Sequence, residues 1–293
     1  MPDQANKPFN IALACAIALG AVLVTLGGVG FWNLYEGGVT SGRGSGGEPL
    51  SSSCNVVDLH IYGNIVGTLS EIPMSDVISV GDGNGTLLTP KYTVASDVRY
   101  NLDQAAADPS IKGLLVDIDS SGGDAQAGQE IAQLIQKFGK PTVAVIHGMG
   151  ASSAYLIASA SGKIYAFENS EVGSIGVTSS YIGQYEKDKR DGLTYEQLSS
   201  GPFKDTFSPD KPLTSAERAL IMRDVKIMRD TFVKSVAAYR RQPLEKIDAL
   251  ADGSTLLGKA ALENGLIDEI GGRSDAVAFL EKQIGEPMSP CFQ

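Results

Sequence analysis

From residue 54 onward, runs of consecutive apolar residues alternate with stretches whose apolar positions recur at helical spacing. NVVDLHIYGNIV (55–66) is rich in β-formers and predicts a strand. SDVRYNLDQAAAD (96–108) has helical composition, with Ser96 placed to cap it. IKGLLVDID (111–119) is an apolar run of buried-strand length that stops at Ser-Ser-Gly-Gly (120–123). DAQAGQEIAQLIQKFG (124–139) then carries Ile131, Leu134, Ile135 and Phe138 on one helical face, and Lys140-Pro141 ends it. PTVAVI (141–146) predicts another buried strand, ASSAYLIASASG (151–162) another helix, and KIYAF (163–167) a third strand. LTYEQLSSG (193–201) reads as a strand entering the loop PFKDTFSPDKP. Thr214 and Glu217 stand at capping-box spacing and open a long helix through about Arg241. A further helical pair and NGLIDEIGG (264–272) close the domain.

Strands alternating with helices predict an α/β fold, a mostly parallel sheet flanked by helices. Sites in such sheets collect at the carboxyl ends of the strands. Both Ser-Ser-Gly-Gly (120–123) and GMGASS (148–153) fall there.

The N-terminal part breaks this pattern. No charged residue occurs between Pro8 and Tyr35, and about 20 apolar residues suffice to span a bilayer. Trp32 and Tyr35 lie where an aromatic belt would sit. The expected organisation is a tail (1–8), one N-terminal transmembrane anchor (9–35), a Gly/Ser-rich linker (36–53) and a folded domain (54–293). The apolar stretch exceeds the core of a cleaved signal peptide. We expect a single-pass membrane protein whose domain faces the extracytoplasmic side. Cys54 and Cys291 bracket that domain and either pair in an oxidising compartment or remain free thiols. No CxxC or Cys/His cluster supports a zinc site, and no cofactor is implied. A net charge of −10 leaves no electrostatic footprint for nucleic acid.

The serines of GMGASSAY (148–155) raise the question of a base, since a hydroxyl is a weak nucleophile until its proton is removed. The chain has two histidines, His60 and His147. His147 ends a strand five residues before Ser152, and neither histidine is placed to form a triad; both are expected to be structural. Lysine is the remaining candidate. Its amine must be neutral to accept a proton, which apolar burial favours. Lys204 stands among Pro202, Phe203, Thr206 and Phe207.

Four motifs in order then carry a resemblance: GMGASSAYLIASASGKIYAF, VGSIGV (172–177), LSSGPFKDTFSP (198–209) and ADGSTLLGKAALENGLIDEIGG (251–272). They resemble the signal peptide peptidase A family, the S49 family of Ser/Lys peptidases, over about residues 54–282. The resemblance implies a ClpP/crotonase-like domain, here in a short, single-copy form. It places the nucleophile on Ser152, the general base on Lys204 and a lysine-orienting hydroxyl on Ser174. The oxyanion donors fall on the backbone N–H groups of Gly122, Gly123 and Ser153. Ser121 replaces a proline common in the family, and Ser153-Ala154 stands where Gly-Gly is frequent. The implied activity is a membrane-anchored serine endopeptidase acting on cleaved signal peptides or other short apolar peptides. It is expected to be a homo-oligomer whose sites are shared between subunits. Two other readings remain: a non-catalytic membrane scaffold of the same fold, and a crotonase-type acyl-CoA enzyme.

Overall fold

A computed structural model describes residues 54–73 and 92–292. The anchor and linker proposed for residues 9–53 lie outside the described residues. Among the described residues no helix is long and apolar enough to cross a membrane.

The strands are β1 (Val56–Val66), β2 (Tyr92–Val94), β3 (Gly113–Gly123), β4 (Thr142–Ala151), β5 (Lys163–Ala166), β6 (Glu171–Gly173), β7 (Thr255–Leu257), β8 (Glu269–Ile270) and β9 (Pro290–Phe292). The helices are α1 (Ala95–Ala107), α2 (Ala125–Lys137), α3 (Ser153–Ser159), α4 (Tyr185–Arg190), α5 (Ser215–Arg240), α6 (Leu244–Ala249), α7 (Gly258–Glu263) and α8 (Arg273–Ile284). Along the sheet the order is β2-β1-β3-β4-β5-β8, with β9 on β1 and β6 between β4 and β7. Every pairing is parallel except β6 with β7.

The two-residue period of a strand sorts its side chains onto two faces. Val57, Leu59 and Ile61 of β1 share one buried cluster with Val116 and Ile118 of β3 and with residues of α1, α2 and α3. Val56 of β1, Leu115 of β3, and Val143 and Val145 of β4 meet Ala276 and Leu280 of α8 on the other side. The central strands are thus covered on both faces, which is why they read as continuous apolar runs. Each fully buried aliphatic side chain there contributes roughly 1.5–3 kcal/mol.

Local signals mark the starts of two helices. The Asp124 carboxylate accepts the Ala127 N–H at the start of α2. Thr214 and Glu217 form the expected capping box at the start of α5. Two expectations fail. The helix assigned to Ser96 begins at Ala95, with Val94 in the capping position and the Ser96 hydroxyl on Asp97. Residues 193–201 form no strand: residues 191–200 are all exposed, with no sheet edge to pair with and no face to bury.

Cys54 and Cys291 form a disulfide that ties the start of β1 to β9, 237 residues apart in sequence. Cross-linking so long a loop stabilises by about 3–5 kcal/mol on chain-entropy grounds. We therefore expect reductant, or Cys291→Ser, to lower the thermal midpoint by about 5–10 °C or more, read by calorimetry. An unchanged midpoint would show that the bridge contributes nothing.

Candidate functional site

The carboxyl ends of β3 and β4 converge on one turn. Ile118 of β3 pairs with Ile146 of β4, and the next paired residues are Ser120 and Gly150. His147, Gly148 and Met149 therefore stand opposite Asp119 alone, a bulge that swings β4 away from β5 and onto β6.

Ser152 follows immediately. Its backbone has φ 54° and ψ −127°, a conformation that a residue with a Cβ rarely adopts and that costs about 1–3 kcal/mol. The surroundings hold it there. The Ser152 N–H donates to the Gly173 carbonyl at 2.8 Å, and its carbonyl accepts the Leu156 N–H at 3.0 Å. Three residues on, fully buried Tyr155 donates its hydroxyl to the Leu266 carbonyl at 2.9 Å and anchors α3. Burial also pushes the Tyr155 phenol well above its ordinary range, so it stays a donor.

Gly122 packs against this turn from β3. A Cβ there would lie 2.8 Å from Ser152 Cβ and 2.9 Å from the Ala151 carbonyl, and its φ is +102°. Only glycine fits. Its neighbour Gly123 would place a Cβ 2.2 Å from the Ile65 carbonyl. The Gly122 N–H, one of the three expected oxyanion donors, donates in this structure to Ser120 Oγ at 3.0 Å. Buried Ser120 in turn donates to the Gly63 carbonyl at 2.5 Å, and so fastens the glycine loop to β1. Sequence reasoning singled out the glycines and passed over Ser120. Its only signal was a hydroxyl at the end of an apolar run.

Gly123, Ser152, Ser153 and Ser174 line one cleft of about 1960 Å³. Ile65, Val66, Leu156, Val177 and Phe232 make its apolar walls, while Gln126, Gln129 and Gln133 add a polar stripe from α2. Ser174 has φ 50°; its N–H donates to the Ser254 carbonyl at 2.8 Å and its hydroxyl to the Gly253 carbonyl at 3.0 Å. As first residue of α3, Ser153 has an N–H with no partner inside the helix.

Lys204 is not in this cleft. It lies in a turn over 201–207, exposed, with its N–H on the Gly201 carbonyl at 3.2 Å. Leu193, Tyr195, Leu198, Phe203 and Phe207 of the same segment are exposed too. At its end, the ion pair of Lys211 with buried Glu217 fixes the segment to α5. Within one chain, the structure brings together the three serines and Gly123 but leaves Lys204 outside.

Both histidines lie on β positions whose side chains share a face with Asp58 and Asp117, the face that α8 covers. Arg273, the first residue of α8, forks between the two carboxylates: Nη1 lies 3.1 Å from Asp58 Oδ1 and 2.6 Å from Asp117 Oδ2, and Nη2 bonds Asp58 Oδ2. His60 Nε2 is 3.6 Å from Asp58, His147 Nε2 is 2.7 Å from Asp117, and the Tyr62 hydroxyl donates to Asp117 at 2.8 Å. Burial pushes the Asp58 carboxyl up, but the nearby His60 and the bonds from Arg273 outweigh it and hold it below the usual range. The proximity of Asp58 in turn raises His60. A raised histidine binds its proton more tightly when folded. Its contribution is complete below the ordinary pKa of about 6.5 and is lost as pH rises through the folded value. Urea midpoints of the parent are thus expected to fall as pH rises above about 6.5 more steeply than those of His60→Gln. Parallel profiles would remove His60 from this account.

The family model described as Peptidase family S49 matches residues 135–285, and one described as Clp protease matches residues 89–180. The chain is 34% identical over 242 residues to the putative signal peptide peptidase SppA of Enterococcus faecium, covering 80% of this chain and 65% of that one. It is 33% identical over 191 residues to a putative protease of Methanocaldococcus jannaschii, covering 64% and 61%. Protease 4 of Haemophilus influenzae is 27% identical over 260 residues, covering 86% and 41%. The chain thus spans between 41% and 65% of the length of these relatives. Among solved structures, a mutant ClpP1 from Listeria monocytogenes matches at 18% identity and a TM-score of 0.46, covering 75% of this chain and 93% of that one.

Proposed function

Because the chain belongs to peptidase family S49, we propose that it is a serine endopeptidase that uses Ser152 as nucleophile and Lys204 as general base. The observation that carries this reading is the backbone of Ser152: a serine held at positive φ between a strand and a helix, over a cleft it shares with Gly123, Ser153 and Ser174. A neutral Lys204 amine takes the Ser152 proton, and the alkoxide attacks a peptide carbonyl. The N–H groups of Gly123 and Ser153 receive the oxyanion. The lysine ammonium then gives its proton to the departing amine, leaving an acyl-enzyme that water hydrolyses. Ser174 orients the amine.

The exposed position of Lys204 favours a site completed by a second copy of the chain. Exposed apolar side chains support such an assembly: those of 193–207, and Met222, Ile227 and Met228 of α5, which line the cleft itself. The apolar stretch 9–35 would anchor the protein, with the domain on the extracytoplasmic side, where the Cys54–Cys291 bridge persists. The apolar walls of the cleft suit signal peptides and other short apolar peptides.

The direct test is a fluorophosphonate probe followed by peptide mapping. Adduct on Ser152 supports the reading; adduct elsewhere, or none in an assembled preparation, defeats it and favours a scaffold.

A further inference from the structure

The bulge that re-aims β4 toward Ser152 is held from the opposite face of the sheet. His147 Nε2 lies 2.7 Å from Asp117 Oδ1, and the Met149 N–H donates to Asp119 Oδ1 at 3.0 Å. The Ser170 hydroxyl shares its one proton between the Ile146 carbonyl, at 3.1 Å, and that of His147. Asp117 is a fixed post: its side chain is 4% exposed and is gripped by Arg273 and Tyr62. His147 is one-third exposed, and its ring centroid lies 5.9 Å from that of Phe167. The contact between them thus joins the rigid charged cluster to the least regular part of β4.

Such a joint matters because side chains in a strand alternate with a period of two. A slip of one residue in the bulge would turn the following side chains to the opposite face. We propose that Asp117, acting through His147 and the bulge, is a positioning residue for Ser152. The proposal rests on the reading of Ser152 as nucleophile, and its structural half can be tested without it.

The experiment uses the full chain in its assembled form and a fluorophosphonate probe. His147→Ala and Asp117→Asn slow labelling of Ser152 about tenfold to a hundredfold, the cost of a misplaced reacting atom. They lower kcat on a peptide substrate while KM stays within about twofold. Deuterium uptake rises over residues 147–156 and is unchanged over α5. His147→Gln, whose amide still reaches toward Asp117, recovers most of the labelling rate. His60→Gln touches the same cluster from β1 and alters labelling by no more than about twofold.

Asp117→Asn also removes a partner of Arg273, so His147→Ala carries the decision if that variant does not fold. Labelling of His147→Ala within about twofold of the parent, with unchanged uptake over 147–156, overturns the proposal. So does a loss in His60→Gln as large as that in His147→Ala. If the parent itself takes no label on Ser152, the peptidase reading falls. Uptake over 147–156 in His147→Ala then decides the structural joint alone, raised uptake supporting it and unchanged uptake overturning it.

Discussion

Ser152→Ala is expected to lower peptide hydrolysis by about 10⁴-fold or more, since loss of a nucleophile removes the covalent route and leaves only binding and oxyanion stabilisation. The change takes away one hydroxyl from a half-buried residue whose backbone N–H and carbonyl are both bonded to neighbours. Alanine meets the same positive φ with the same Cβ, so the thermal midpoint should move little. Activity and stability therefore separate, and the separation is the informative result. A variant that keeps a tenth of the parent activity, at a level above contaminating peptidases, would move the nucleophile to another residue, the next candidate being Ser153, whose buried hydroxyl has no partner among the described residues.

Lys204→Ala is expected to be as inactive as Ser152→Ala, yet a mixture of the two inactive chains should regain activity. One chain alone does not bring Lys204 into the cleft that holds Ser152. If each site takes its serine from one copy and its lysine from the next, random mixing at equal amounts makes half of the serines and half of the lysines functional. About a quarter of the sites then hold both groups, which sets the expected recovery. Chains must exchange, so the mixture is refolded together. Zero recovery after demonstrated exchange would mean that serine and lysine come from the same chain, with the segment 191–214 moved from the position seen here. Recovery near a quarter would also fix the assembled oligomer as the active species. Peptidase activity of a dilute, dissociated chain would contradict that.

Much of the fold was legible because burial on both faces writes itself into a strand as an unbroken apolar run. Residues 111–119 and 141–146 are such runs, and both lie in the centre of the sheet. The capping box at Thr214 and Glu217 was legible for a related reason: its two hydrogen bonds are local, so spacing alone encodes them. The segment 193–201 shows the limit. Leu193, Thr194 and Tyr195 favour extended structure, but a strand needs a partner, and the chain supplies none there.

The site divides in the same way. The sequence alone determined which residues are chemically able to act: serines between a strand and a helix, two glycines at the end of the preceding strand, and a lysine in a distant loop. Those are properties of residue type and of neighbours along the chain. Tertiary structure decided which of these groups meet and which N–H groups are already spent. The Gly122 N–H is bonded to Ser120, which is itself fastened to Gly63 on another strand. The two histidines are structural because Asp58, Asp117 and Arg273, far apart in sequence, meet them on one face of the sheet. Such pairings depend on register between strands and on where α8 docks. No stretch of sequence contains that register, because it comes from packing the whole sheet at once.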